Sequence, residues 1–319
     1  MGSDLPAALK AALARAAFGV SRAQAARQAN ALSETYRAGG GSQAITDAGG
    51  ALAYALARMP ATYAAVAACL DAVQAARPDF APHSLIDVGA GPGTASWAAA
   101  AAFPDLAAFT LLDANPALRA LALTFTEGAD RLACAAYRLG EARTELSAMP
   151  VGDLVIASYL IAEVTDPAPL VARMWDKTRD VLLIVEPGTP DGYRRVLAAR
   201  AQVIALGGHV VAPCPHDAAC PLAPPDWCHF AQRLMRSRDH KQVKRAEAPF
   251  EDEKFAYVAL SRTAGLRPAR VLAPPAVGKA AVSVKLCTPA GIAMVTAPRR
   301  DKPAYARARR LRWGDGVPA

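Results

Sequence analysis

Four of the six cysteines in this 319-residue chain are spaced for metal chemistry. Cys214, Cys220 and Cys228 fall in one proline-rich stretch, APCPHDAACPLAPPDWCHF, and Cys287 follows 59 residues after the third. Thiolates are soft ligands, and four of them hold either a tetrahedral zinc ion or an iron–sulfur cluster. Structural zinc favours tight pairs with two to four residues between the cysteines. Here the spacings are C-x5-C and C-x7-C, which suit a larger cluster, and proline follows both Cys214 and Cys220. His216, His229 and His240 keep a mixed Cys/His zinc site open, so spacing alone leaves iron–sulfur and zinc about even. Cys69 and Cys134 read as small buried apolar residues.

A second constellation is Asp87-Val88-Gly89-Ala90-Gly91-Pro92-Gly93, with Asp113 twenty residues after Gly93. The glycines let a ligand approach the backbone, and an acid at the end of the next strand is placed to take the hydroxyls of a ribose. A pyrophosphate loop has G-x-G-x-x-G. The spacing G-x-G-x-G, with an acid two residues before the first glycine, looks like the first motif of class I S-adenosylmethionine (SAM) methyltransferases. That site takes a nucleoside with an amino-acid tail. The Asn/Asp-Pro-Pro-aromatic turn of amino-directed base methylases is missing. Ser158-Tyr159-Leu160-Ile161 stands there instead, and the region has no cysteine of the cytosine-C5 type. Tyr159, Glu163 and Glu186 fall near the expected pocket, either lining it or serving packing and capping. SAM binding is better supported than catalysis, and the catalytic residues stay unknown.

These residues need an α/β scaffold. Leu85–Val88, Phe109–Leu112, Asp153–Ser158 and Val181–Val185 are short apolar runs alternating with helical stretches at Thr94–Phe103, from Pro116, and at Asp191–Leu206. That alternation predicts a parallel sheet covered on both faces, and the resemblance of the glycine loop implies that it is a Rossmann-like class I methyltransferase sheet. His209–Ala212 and Phe255–Leu260 read as a closing antiparallel pair, with residues 213–254 inserted between them. Residues 1–80 read as a helical region. Ser3 and Ser21 are N-caps, Ser21 and Gln24 form a capping box, and Gly39-Gly40-Gly41 is the stop. A second helix over Ala51–Ala76 is interrupted by Pro60. After Arg267 come strands at Ala281–Cys287 and Ile292–Thr296 and a basic helix from Pro303. The expected domains are 1–80, 81–265 with the cysteine insertion, and a basic module 266–319 that supplies the fourth cysteine.

Composition narrows the function classes. Hydrophobic residues are 53% and charged residues 20%, which excludes a disordered chain. The N-terminus shows no secretory or myristoylation pattern, and no uncharged run is long enough to span a bilayer. The expectation is a cytoplasmic protein, away from membranes and monomeric when free, in which structural disulfides are rare. The formal net charge is +8, and residues 209–319 carry 19 Lys and Arg against 9 Asp and Glu. All the excess charge lies in that last third, which points to a polyanion partner.

Taken together, the sequence resembles the methyltransferase-like family of small-ribosomal-subunit assembly factors found in mitochondria and bacteria. The resemblance rests on RMPATY at 58–63, the glycine loop, EPG at 186–188, APCPH at 212–216, DWCHF at 226–230, EDEKF at 251–255 and RRLRWGD at 309–315. It implies a class I methyltransferase fold, a 4Fe–4S cluster on Cys214, Cys220, Cys228 and Cys287, and binding to small-subunit, 16S-type rRNA during assembly or translation. It moves the metal expectation from zinc toward iron. No catalytic residue is carried over. The basic residues fit this reading. Arg233, Arg236, Arg238, Lys241, Lys244 and Arg245 form one run, expected in a helical stretch, and Arg299, Arg300, Lys302, Arg307, Arg309, Arg310 and Arg312 form another. Arg233, Arg236, Lys241, Lys244, Arg307, Arg309, Arg310 and Arg312 are the RNA-contact candidates, with Trp227, Tyr305 and Trp313 placed to stack on unpaired bases. Two alternatives remain: a catalytic rRNA methyltransferase using the same surfaces, and a small-molecule methyltransferase with zinc or a redox-sensing cluster.

Overall fold

A computed structural model describes residue 2 and residues 4–37, 39–244 and 246–318. The expected N-cap Ser3 and the basic Arg245 lie outside the described residues. Three helices come first, α1 (Ala7–Ala16), α2 (Arg22–Arg37) and α3 (Ala48–Ala76). Ser21 caps α2, its Oγ accepting from the Gln24 N–H at 3.4 Å. The chain leaves α2 through Gly39, at φ 84. Pro60 does not interrupt α3, which runs unbroken for 29 residues. Proline gives the Leu56 carbonyl no donor, a cost that normally kinks an exposed helix. Here α3 is buried on nearly every face, and its many alanines let α2, α4 and the sheet approach closely, so packing outweighs the lost bond.

The central sheet follows as β1 (Ser84–Val88), α4 (Thr94–Ala102), β2 (Ala108–Asp113), α5 (Pro116–Thr126), β3 (Ala136–Leu139), a short α6 (Ala142–Glu145), β4 (Gly152–Ser158), α7 (Ala168–Asp176), β5 (Thr178–Pro187), α8 (Pro190–Ala205) and β6 (His209–Ala212). It is completed by β7 (Phe230–Met235), α9 (Arg238–Lys244) and β8 (Phe250–Ser261). The strand order is β3-β2-β1-β4-β5-β8-β6, with β7 paired to the first half of β8. Strands β1 to β5 pair in parallel, and β8 lies antiparallel between β5 and β6. This is the expected Rossmann-like class I methyltransferase sheet, and the closing antiparallel pair stands where the sequence placed it.

The continuous apolar runs have a simple cause. Alternate side chains of one strand enter two different cores. Leu85, Leu154, Ile156, Leu183 and Val185 face α1, α3 and α4, whereas Ile86, Val88, Val155, Leu182 and Ile184 face α7 and α8. Both faces are covered, so neither needs polar residues.

A second sheet contains β9 (Ala269–Val271), β10 (Ala276–Val277), β11 (Ala281–Thr288), β12 (Gly291–Pro298) and β13 (Gly316–Val317), with α10 (Lys302–Arg310) packed on it through Ala304, Tyr305 and Ala308. Asp301 caps α10, accepting from the Ala304 N–H at 3.0 Å. Besides the uninterrupted α3, two sequence expectations need correction. Arg233 lies on β7 and Arg236 in the turn after it, not in a helix. Alternate β7 residues pack inward, as Phe230 and Leu234 do, and helix begins only at Arg238. Cys134 is exposed, at the end of a one-turn segment, Arg131–Cys134, in which only Leu132 is buried. Cys69 is buried as expected. Among the described residues, no helix is long and apolar enough to cross a membrane.

Candidate functional site

The glycine loop joins β1 to α4 and has positive φ at Gly89, Gly91 and Gly93, backbone that residues with a side chain rarely adopt. The N–H groups of Gly89 and Ala90 donate to the Leu112 carbonyl at 2.8 and 3.0 Å, which hangs the loop on the end of β2. Asp113 holds its centre. One carboxylate oxygen accepts the Gly91 N–H and the other the Asn115 N–H, both at 2.8 Å, and each keeps a lone pair for a ligand hydroxyl. Tyr137, from β3, donates its hydroxyl to the Gly91 carbonyl at 2.6 Å. Burial raises the Asp113 carboxyl above its ordinary range.

Asp87 is wholly buried at the root of the loop. Its Oδ2 accepts from the Ser96 N–H at 3.0 Å and the Ser96 hydroxyl at 2.7 Å, while Oδ1 has no partner. Desolvation pushes its carboxyl up to about 7, against the pull of the Ser96 bonds. An orphaned buried carboxylate oxygen is costly and points to a missing cation or donor.

The mouth of the sheet is crowded by the chain itself. A Cβ on Gly89 would stand 2.7 Å from Leu160. The strap around Ser42 crosses from β4 to β2: the Ser42 N–H and hydroxyl donate to Glu163 at 2.9 and 2.8 Å, and Asn115 Nδ2 donates to the carbonyls of Ser42 and Ile45, each at 2.9 Å. Tyr159, at φ 58, donates its hydroxyl to Glu253 at 2.8 Å, and Arg58 donates to the same oxygen at 3.1 Å. Glu186 is fully buried, pushed up to about 7 by desolvation, with Arg195 donating to it at 3.1 Å. All three polar residues expected near the pocket are thus engaged within the protein.

The second site lies on the far side of β8. Cys214, Cys220, Cys228 and Cys287 line one cavity of about 510 Å3, its open mouth included. Cys214 follows β6, Cys220 lies in the loop beyond it, Cys228 precedes β7, and Cys287 comes across from β11. The loop is pinned by Asp217, which accepts the Val210 N–H at 2.8 Å and pairs with Arg267 at 2.5 Å. Lys285 of β11 pairs with Asp226 next to the third cysteine. Tyr193 of α8 donates to Cys220 Sγ at 3.2 Å.

Burial raises the Cys214 thiol, holds the Cys228 thiol well above its ordinary range and pushes Cys287 up to about 12, with the neighbouring cysteines adding to the shift. Among the described residues, no group of three His, Cys, Asp or Glu comes close enough to hold a metal ion. Of the three histidines considered as ligands, His216 Nε2 lies 3.8 Å from Cys287 Sγ. His229 stacks on Trp227 at a ring separation of 5.0 Å and meets Trp313 edge to face at 4.7 Å. His240 is buried on α9, 3.6 Å from Glu251 and outside the cavity.

The two basic runs differ in a way the sequence does not show. Arg233 is bidentate to Asp252 at 2.7 and 2.8 Å, and Glu251 takes Arg236 at 3.0 Å and Lys244 at 2.5 Å. These carboxylates sit on the neighbouring strand β8, so among the described residues three of the six cations of the first run are paired internally, sharing two carboxylates. Lys241, on α9, has no carboxylate partner among the described residues. Arg307, Arg309 and Arg310 on α10 and Arg312 just after it are all exposed, and none has a carboxylate partner among the described residues. Trp227 and Trp313 are both in ring contact with His229, the first stacked and the second edge-on, and Tyr305 packs against the second sheet.

The family model for the mitochondrial small ribosomal subunit protein Rsm22 matches residues 48–318. The human ribosome assembly protein METTL17, mitochondrial, is 29% identical over 291 residues, covering 84% of this chain and 62% of that protein. Rsm22-cox11 tandem protein 2, mitochondrial, of Schizosaccharomyces pombe is 24% identical over 240 residues, covering 66% of this chain and 32% of that protein. The chain thus spans less than two thirds of the length of either relative. Among solved structures, magnesium protoporphyrin IX methyltransferase from Synechocystis PCC 6803 with bound SAM is 11% identical over 64% of this chain and 80% of its own, with a TM-score of 0.41.

Proposed function

The chain belongs to the Rsm22 family, and on that premise we propose that it is a SAM- and 4Fe–4S-binding factor that docks on small-subunit rRNA and supports assembly of the small ribosomal subunit or its translation. The observation that carries the reading is the convergence of Cys214, Cys220 and Cys228, from the connection between β6 and β7, and Cys287, from β11, on one cavity. Their thiols line a space rather than closing on a point, which suits a cluster better than a single zinc ion. Bound there, the cluster would cross-link the insertion to the second sheet, so cluster binding and folding would be coupled.

The glycine loop fits a SAM-type ligand. Asp113 offers both oxygens beside Gly91, and the orphaned Asp87 Oδ1 suits a cationic group. SAM would supply a sulfonium methyl, yet Tyr159, Glu163 and Glu186 are already occupied with internal partners. Glu186 keeps one oxygen, Oε1, without a partner, but it is fully buried and ion-paired with Arg195. None of the three offers an exposed, unpaired base to an acceptor, which favours a binding role over methyl transfer. The unpaired arginines of the C-terminal helix then supply the grip on rRNA.

The test is rRNA binding by the full chain across a salt series. Replacing Arg307, Arg309, Arg310 and Arg312 by Ala should weaken binding and make the log–log salt slope shallower by up to about 3–4, at roughly 0.7–0.9 per lost phosphate contact. Affinity and slope unchanged in a folded quadruple variant would remove the C-terminal helix from the account.

A further inference from the structure

The cysteine cavity contains two buried cations with no matching anion. Arg200 and Arg270 both line it, and they are only 4% and 5% exposed. Arg200, from α8, donates Nη2 to the carbonyls of His216 and Ala218 at 2.7 and 2.8 Å, and its Nε has no partner. Arg270 lies on β9 directly opposite Cys287 in the β9–β11 register. It donates Nε to the Pro213 carbonyl at 3.0 Å and Nη1 to the Gly314 carbonyl at 2.8 Å. Among the described residues, neither guanidinium pairs with a carboxylate. Arginine does not shed its proton, and an uncompensated buried charge is strongly destabilising. Carbonyl partners satisfy N–H groups without neutralising charge.

We propose that Arg200 and Arg270 are the counter-charges of the cysteine cavity, paired across it with a tetrathiolate centre of net charge two minus. Four thiolates on a cluster core of charge two plus give that value, so the two guanidiniums balance it. The same arginines clamp the segments that carry the ligands: Arg200 holds the loop between Cys214 and Cys220, and Arg270 ties β9 to the residue before Cys214. They are positioning residues acting through charge and through the loop backbone, and this inference rests on the cluster reading above.

The charge has a measurable consequence. One-electron reduction of the centre, with dithionite as the reductant, takes the core from two plus to one plus and the whole centre from two minus to three minus. A nearby cation favours the reduced form, so removing one should make the midpoint potential more negative.

The experiment uses the full chain, purified anaerobically, as wild type and as Arg200→Gln, Arg270→Gln, Arg200→Lys and Arg270→Lys. Iron content and midpoint potential are read for each. The Gln variants are expected to bind less iron and to have more negative potentials, and the Lys variants to keep the wild-type potential because they keep the charge. If the Gln variants hold no iron at all, iron retained in the Lys variants supports the proposal and its loss there overturns it. Gln variants with wild-type iron and potential, or Lys variants that shift as the Gln variants do, also overturn it. Wild-type protein without iron refutes the cluster reading itself, which separates the two failures.

Discussion

Asp87→Asn is a sharp test of the glycine-loop reading, because the free energy it changes depends on pH. In the folded chain without ligand, burial lifts the Asp87 carboxyl from 3.8 to about 7. A raised carboxyl binds its proton more tightly in the folded than in the unfolded state. Its contribution is therefore fully present at acid pH and is lost as pH rises from the unfolded value toward about 7. At 1.36 kcal/mol per unit, the loss between pH 5 and pH 8 is roughly 2–3 kcal/mol. The variant has no such slope. It keeps an oxygen for the Ser96 donors but places an amide where Oδ1 stands, and that position has no acceptor. Urea unfolding without cofactor should find the variant less stable than wild type at pH 5, with the gap closing or reversing at pH 8. If SAM requires the carboxylate, wild-type affinity should rise roughly 50-fold from pH 5 to pH 7, and the variant should bind weakly without that rise. Identical pH dependence in the two proteins, in both assays, would refute the assignment of Asp87.

Single Cys→Ser changes at 214, 220, 228 and 287 should each lower bound iron and the unfolding midpoint, since ligand loss and loop anchoring go together; full iron in any one of them removes that residue from the ligand set. Cys69→Ser and Cys134→Ser should leave iron content unchanged, the first destabilising because it puts a hydroxyl into the apolar face of α3. Gly192→Ala would place its Cβ 2.0 Å from the Pro187 carbonyl oxygen, so the start of α8 must move. A loss of about 1–3 kcal/mol in urea unfolding is expected, and an unchanged midpoint would show that the turn yields freely.

The sheet was legible because its strands are buried on both faces. Runs such as Asp153–Ser158 and Val181–Val185 are apolar without alternation, and the glycines punctuate the first of the crossovers. β3 escaped because three of its four residues are exposed, so no apolar run marks it. β9, β10 and β13 have only two or three residues each, too short for any period to register. Pro60 misled because helix propensity carries no information about burial. In the cysteine site the ligand candidates were legible as residue type and spacing, but their companions were not. Arg200 lies mid-helix and Arg270 on a three-residue strand, and only the fold brings them beside Cys214 and Cys287. The two basic runs look alike in sequence. Pairing of Arg233 with Asp252 depends on the β7–β8 register, and that of Arg236 and Lys244 with Glu251 on how the chain and α9 fold back after β7, neither of which local pattern reveals. Tyr137, which holds the Gly91 carbonyl, was missed with β3 for the same reason.

The most direct test of the account is the metal itself. Iron, zinc and acid-labile sulfide should be measured per chain in the anaerobically isolated 319-residue chain, with an electron paramagnetic resonance spectrum after dithionite reduction. The account predicts about four irons and four sulfides per chain and a signal from a reduced 4Fe–4S cluster. One zinc per chain, with neither iron nor sulfide, would contradict it.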